Sequence, residues 1–432
     1  MPKKIYIRTF GCQMNARDSE FVMGLLLENG FRKASSIEKA DVIIFNSCSV
    51  RKHAEERLFS NIAELKNLKK KKPGLVIGLM GCTAQSYKAK AVERAPLADF
   101  VCGPGNESDI PAIIKDVVKN RCPIIAAEKV NEKRPELFPE YREGGFKAYV
   151  SIGEGCDNFC SYCIVPYVRG RERSRDTKDI IREVKNLAAR GFKEITLLGQ
   201  NVNSYQGTGF VKLLESLNRV RGIERIRFMT SHPKDASTDL FKAMRDLEKV
   251  CEHLHLPLQS GSDRILRLMN RGYTGDKYLK LADNYKKILP DGAMTTDIIA
   301  GFPSEAEKDF KDTIEIIKKI KFDGAFAFKY SPRPPAKSAK LKDDVPEEKK
   351  SARLKTFLKL QGEISLERNR PLEGKVVDVL VDGINRKEAS VLAGRTRSNK
   401  IVVFKGPRHL IGKPVNVHVD VIAPYVLKGR MI

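Results

Sequence analysis

The sequence predicts an α/β protein in three parts: an N-terminal open parallel sheet, a central partial (β/α)6 barrel, and a small C-terminal β-barrel. Three observations predict it. Apolar runs alternate with helical segments from residue 1 to about 120. Six further strand–helix units follow between residues 147 and 330. Beyond Arg368 the pattern changes to short β-type runs punctuated by Gly and Pro. At 432 residues the chain exceeds one ordinary core, and two or three domains are expected.

In the first part, KIYIRTF, DVIIFNS, LVIGLM and DFVCG read as strands, with a helix ending near Asn29-Gly30 and another over NESDIPAIIKDVVKN. Strands alternating with helices give a Rossmann-like parallel sheet over residues 1–120. Residues 121–145 hold Pro123, Pro135, Pro139 and Gly144-Gly145 with little periodicity, and read as a linker. The central part, 146–367, carries KAYVSIG, FKEITLLG, ERIRFMT, HLHLPLQ, AMTTDIIAG and FDGAFAFKY as successive strands. Ligands of such barrels sit at the strands' C-terminal ends. A Pro- and charge-rich junction and one helix lead to 368–432, where KVVDVLVDG, EASVLAG, KIVVFKG and PVNVHVDVIA suggest a small antiparallel barrel.

The chain has 79 Lys+Arg against 54 Asp+Glu, a formal charge of +25. Such an excess favours a polyanionic partner, since neutralising phosphates releases condensed counterions. Residues 368–432 alone carry 13 basic and 5 acidic side chains, as expected of a nucleic-acid-binding module. Within it Arg395, Arg397, Lys400, Lys405 and Arg408 are candidates for phosphate contact; a solvated basic face is the plainer reading. No apolar run reaches the roughly 20 residues of a bilayer crossing. The N-terminus has no signal-like core, so a soluble cytoplasmic protein without membrane association is expected.

Nine cysteines in such a chain are expected to be ligands or nucleophiles rather than disulfides. Cys156, Cys160 and Cys163 follow the first barrel strand with spacing C-x3-C-x2-C. Three thiolates within eight residues point at one centre. A structural zinc site wants four protein ligands, whereas an iron–sulfur cluster on three cysteines leaves one iron open. Cys12, Cys48 and Cys82 each follow a predicted parallel strand, whose C-terminal ends share one sheet edge. They form either a second three-thiolate site or three separate buried cysteines. Cys102 is a fourth ligand or core, and Cys122 and Cys251 look structural.

The C-x3-C-x2-C loop after a first barrel strand resembles the radical S-adenosylmethionine superfamily. Together with Cys12, Cys48 and Cys82, the segments GCDNFCSYCIVPYVRGRERSR, LLGQNVNSY, MTSHP, HLPLQSGS, MNRGYT, DIIAGFP and FKYSPRP extend the resemblance along nearly the whole chain. The family resembled is the methylthiotransferases, most closely the MiaB-type tRNA 2-methylthioadenosine synthases. Their order is an N-terminal methylthiotransferase domain, a radical S-adenosylmethionine core and a TRAM domain.

The resemblance implies two 4Fe–4S clusters. One, on Cys156, Cys160 and Cys163, reduces S-adenosylmethionine to a 5′-deoxyadenosyl radical; the other, on Cys12, Cys48 and Cys82, provides or carries the inserted sulfur, which leaves Cys102 to the core. It implies methylthiolation of carbon 2 of N6-isopentenyladenosine at position 37, in the tRNA anticodon stem-loop. Enzymes acting on threonylcarbamoyladenosine share CSYCIVP, and those acting on ribosomal protein S12 are a more distant alternative. Expected cofactor contacts are Tyr162 beside the adenine, Gln200 and Asn201 at the methionine end, Gln259 and Ser260 near the ribose, and Asp297 and Arg271. His232 is either a ligand group or structural. A flavodoxin- or ferredoxin-like electron donor, a sulfur carrier or iron–sulfur assembly protein, and a monomeric state complete the expectation.

Overall fold

The computed structural model describes residues 2–49, 52–127, 140–385, 388 and 390–432. Six parallel strands form the N-terminal sheet: β1 (Lys4–Phe10), β2 (Arg32–Lys33), β3 (Val42–Ser47), β4 (Val76–Met80), β5 (Phe100–Cys102) and β6 (Ile124–Ala126), in the order β2-β1-β3-β4-β5-β6. Two departures from the sequence reading lie at its edges. β2 is two exposed basic residues, which carry no apolar signal. β6 falls within the expected 121–145 linker and pairs with β5, so the N-terminal unit runs past residue 120. Pro135 and Pro139 of that linker lie outside the described residues. Cys102 is fully buried among Val76, Met80, Phe100 and Ile114, a core position.

The central domain has the six expected strands, β7 (Lys147–Ser151), β8 (Glu194–Leu198), β9 (Arg225–Phe228), β10 (His253–His255), β11 (Ala293–Ala300) and β12 (Gly324–Lys329). They pair as two parallel triplets, β7-β8-β9 and β10-β11-β12, linked by a bridge between Ile226 and Val250. β7 and β12 are therefore free edges, and the barrel is partial. A 23-residue helix, Glu347–Asn369, buries Phe357 and Ile364 in the main barrel core, against which Ala325 and Ala327 of β12 also pack.

The C-terminal barrel is closed by five strands, β13 (Val376–Ile384), β14 (Val391–Thr396), β15 (Ile401–Lys405), β16 (Pro414–Ile422) and β17 (Leu427–Met431). It is not wholly antiparallel as expected: β15 and β17 pair in parallel. The sequence reading missed β17 because LKGRM carries little β-type apolar pattern, yet it supplies the closing strand. This barrel docks across the N-terminal ends of the central strands. Arg225 at the start of β9 pairs with Asp378 at 2.6 Å, and Lys147 at the start of β7 pairs with Asp382. Arg227 donates to the carbonyls of Thr396 and Arg397 at 2.8 and 2.9 Å.

That docking engages two of the basic residues offered as phosphate contacts, and a third is engaged within the small barrel. Arg397 forms an ion pair with Glu252 at 2.6 Å and Lys400 with Asp323 at 2.8 Å, both on the central domain. Arg395 donates to Asn399 and lies 3.4 Å from Asp382. Composition counts charges without saying which face of a small barrel is covered. Lys405 and Arg408 are exposed.

Candidate active site: two cysteine triads joined by one short helix

Cys12, Cys48 and Cys82 follow β1, β3 and β4, three neighbouring strands of one parallel sheet, so the topology delivers them to one edge. Gly11 permits the approach, since a Cβ there would stand 2.8 Å from Cys48 Cβ. Beneath them is a buried amide network: Asn15 donates to Asn46 Oδ1 at 2.9 Å, and Asn46 donates back to the Asn15 carbonyl at 2.8 Å. The Cys12 thiol donates to Asn15 Oδ1 at 3.3 Å. A hydrogen bond with Cys48, helped by the charge of Arg169, pulls Cys12 down to about 6 against the effect of burial. Burial pushes Cys82 up, with Arg169 opposing.

Cys156, Cys160 and Cys163 sit on a loop after β7. Gly155, at φ +75°, makes the entry turn; a Cβ there would lie 1.9 Å from the Arg171 carbonyl oxygen. Two-residue strands, Gly153–Glu154 and Arg173–Ser174, pair antiparallel and clamp both ends of the loop. The turn after the helix Asp263–Leu268 grips its middle. Ser161 donates through its N–H to Met269 O at 2.9 Å and through Oγ to Leu268 O at 2.8 Å, and Asn270 donates to the Asn158 and Phe159 carbonyls. Burial raises Cys156, and burial with the neighbouring Cys160 pushes Cys163 up to about 12. Bare thiolates are thus disfavoured here, and a bound cationic metal centre would reverse that.

The two triads are connected through the helix Val165–Arg169, which begins two residues after Cys163. Its Val168 packs with Ile164 against Cys82. Its last residue, Arg169, is buried; Nε donates to Cys82 Sγ at 3.3 Å and NH2 pairs with Asp18 at 2.7 Å. A second guanidinium treats the other triad alike: Arg271 donates to Cys160 Sγ at 3.3 Å. Asn158 donates to Cys156 Sγ at 3.4 Å.

Each site offers thiols flanked by N–H donors. This donor set fits an iron–sulfur cluster, whose potential is tuned by hydrogen bonds to sulfur. At the ends of β8 and β9, Asn201 Oδ1, Ser231 Oγ and His232 Nε2 are buried with no protein partner, an arrangement that fits a polar ligand. Burial and the charges of Arg271 and Lys234 hold His232 down to about 2, so its imidazole is neutral. Asn203 accepts from the His232 N–H and donates to its carbonyl, tying the two loops together.

Other expected cofactor contacts have structural engagements. Gln200 Oε1 accepts from Gly155 N–H at 2.6 Å, anchoring the cysteine loop. Asn201 donates to Asp235 at 2.7 Å, leaving Oδ1 available. Tyr162 packs its ring on Ile265, Met269, Phe302 and Tyr330. Arg271 also donates to Tyr273 OH and Pro257 O, so its guanidinium braces the loop where a cofactor carboxylate was expected. Ser260 Oγ lies 3.4 Å from Thr313 Oγ1 and accepts from the Ser262 N–H at 3.2 Å. Gln259 adopts φ +68° and bridges β11 through its backbone. Asp297 lies 3.4 Å from His255 Nε2 inside the barrel. Sequence reasoning missed Arg169, Asn158 and Asn270. Arg169 lies in a quoted segment, but nothing separates it there from Arg171, Arg173 and Arg175.

Residues 150–317 match the radical SAM superfamily, 4–103 a family described as Uncharacterized protein family UPF0004, and 370–432 the TRAM domain. A tRNA-2-methylthio-N(6)-dimethylallyladenosine synthase of Caldicellulosiruptor saccharolyticus is 48% identical, over 100% of this chain and 93% of its own. One from Carboxydothermus hydrogenoformans is 45% identical, covering 100% and 99%. Among solved structures, the radical S-adenosylmethionine methyltransferase TsrM from Kitasatospora setae superposes with TM-score 0.58 at 12% identity, over 78% of this chain and 75% of that one. That likeness shows the shared fold. With full-length relatives at this identity, the chain belongs to the family of the radical SAM tRNA-2-methylthio-N(6)-dimethylallyladenosine synthases.

Proposed function

We propose that the protein replaces the carbon 2 hydrogen of N6-isopentenyladenosine in tRNA by a methylthio group. The observation that carries this reading is the pairing of two cysteine triads through one short helix, with Arg169 of the radical domain donating to Cys82 of the N-terminal one. A single triad would account for radical generation alone. When bound, a 4Fe–4S cluster on Cys156, Cys160 and Cys163 supplies the electron that cleaves S-adenosylmethionine to a radical, and a second on Cys12, Cys48 and Cys82 supplies sulfur.

The protein's own residues arrange this. Gly155, Gln200, Ser161 and Asn270 fix the first cysteine loop. Asn201, Ser231 and His232 offer two acceptors and a donor to the polar end of S-adenosylmethionine. Arg169 and Asp18 hold the domains together and bring positive charge to the sulfur-bearing site. The adenine must leave its stack to reach the barrel mouth, and exposed basic groups such as Lys405 and Arg408 give salt-sensitive affinity for RNA. The functional units are then the sheet domain through β6, the barrel over 146–367 and the small barrel over 368–432. Electrons come from an external flavodoxin- or ferredoxin-like donor.

The test is nucleoside mass spectrometry of tRNA from a deletion strain, with and without complementation. Loss of the methylthio derivative and accumulation of isopentenyladenosine is expected. Unchanged isopentenyl species together with lost methylthio-threonylcarbamoyladenosine would move the substrate to that nucleoside.

A further inference from the structure

The strand β12 turns the usual arrangement inside out. Its small residues Ala325 and Ala327 pack on the apolar core, while Phe326 and Phe328 are 54% and 37% exposed. Phe326 is paired in register with Asp297, so both stand on one face of the β11-β12 pair. That face is the barrel interior: the Phe326 ring meets the His255 ring edge-on at 6.1 Å, and His255 Nε2 lies 3.4 Å from Asp297 Oδ2. β12 also has no strand partner on its far side, so these two exposed rings stand at the margin of the partial barrel.

One threonine hydroxyl links two histidines behind the carboxylate. Thr295 Oγ1 bonds both His253 Nε2 at 2.9 Å and His255 Nδ1 at 3.0 Å. Several proton arrangements satisfy this pair of bonds, and the one that also places an N–H toward Asp297 has His253 donating to Thr295 and Thr295 donating to His255 Nδ1. His255 then carries its proton on Nε2 and directs it at Asp297. Asp297 is thereby held as an acceptor, with its side chain 28% exposed toward the lumen.

We propose that Phe326, Phe328 and Asp297 form the recognition site for the prenylated adenine, resting on the function proposed above. The base stacks on the Phe326 ring, its one remaining N6–H donates to the Asp297 carboxylate, and the five-carbon apolar tail lies along Phe328. Stacking suits any base, but the apolar strip rewards the dimethylallyl group in particular. The same site rejects a threonylcarbamoyl substituent, because its carboxylate would face Asp297 and two phenyl rings.

The test measures binding of fluorescent anticodon stem-loops to the full-length, cluster-loaded protein, with adenine 37 prenylated, unmodified or threonylcarbamoylated. Wild type is expected to prefer the prenylated loop. Phe328→Ala should erase that preference by roughly ten-fold, and Phe328→Leu should retain most of it. Phe326→Ala should weaken all three loops, while Phe326→Trp binds them as wild type does. Asp297→Asn should relax the exclusion of the threonylcarbamoylated loop. A Phe328→Ala variant that keeps the preference, or a Phe326→Ala variant that binds all three loops as wild type does, overturns the site and leaves the proposed function standing. No preference in wild type overturns both.

Discussion

Arg169 Nε lies 3.3 Å from Cys82 Sγ, although the two residues are 87 positions apart and belong to different domains. The same guanidinium is paired with Asp18, which is 1% exposed. One side chain therefore serves both the domain junction and the chemistry of a thiol.

Among the described residues two cations flank the buried Asp18 carboxylate; replacing Arg169 by Ala removes the nearer and leaves Arg17, at 3.5 Å. Breaking one half of a buried pair costs roughly 3–5 kcal/mol, so the variant should unfold at markedly lower temperature by calorimetry. Arg169→Lys should recover part of the stability but not the N–H bond to sulfur. If each triad holds a cluster, its Cys82-linked cluster should shift in reduction potential, read by EPR-monitored titration, while the other stays put.

The two triads should load independently. Replacing Cys156, Cys160 and Cys163 together by Ala is expected to halve the iron and acid-labile sulfide bound after anaerobic reconstitution, as is replacing Cys12, Cys48 and Cys82. Full iron content in either triple variant would show that its cysteines are not ligands.

Basic residues of the small barrel should separate into two kinds. Arg397→Ala breaks the pair with Glu252 and should loosen the docked barrel, seen as faster proteolysis, with little effect on the salt dependence of RNA binding. Lys405→Ala with Arg408→Ala should flatten the plot of log affinity against log salt by about 0.7–0.9 per lost phosphate contact. The reverse pattern would mean that this barrel meets RNA by another face.

His232 is held down to about 2 by burial and by Arg271 and Lys234, and His253 is also depressed by burial and by His255. A histidine with a depressed folded pKa takes up a proton only on unfolding. Its unfavourable contribution is absent above the unfolded value near 6.5 and grows as pH falls below it. Each group can remove up to about 1.4 kcal/mol per pH unit. The apparent melting temperature should therefore drop between pH 6.5 and 5, and less so in His232→Gln. Identical pH slopes for the two proteins would refute the buried neutral imidazole.

The cysteines were legible in the sequence because strand ends in a parallel sheet converge whatever lies between them. The expectation for Cys12, Cys48 and Cys82 needed only that β1, β3 and β4 be neighbours, as they are. The arginines were not legible. In RGRERSR, Arg169 reaches Cys82, Arg171 reaches Asp157 at the surface, and Arg175 turns inward to Glu183. Four identical side chains two residues apart carry no mark of which will be buried, because their partners are set by tertiary packing. The same blindness put Arg397 and Lys400 on an RNA surface when they hold a domain interface. β17 escaped because LKGRM carries little apolar alternation, and β6 because a three-residue edge strand shows almost no periodicity.

The docking of the small barrel across the starts of the central strands has a topographical result. The cysteines and the unpartnered Asn201, Ser231 and His232 atoms gather at the opposite ends of those strands. The lumen is thus a well with its floor occupied, entered from the rim. An RNA that touches the outer face of the floor while its base reaches the rim must run along the full height of the wall. Stem length, as well as sequence, then becomes a criterion of substrate choice.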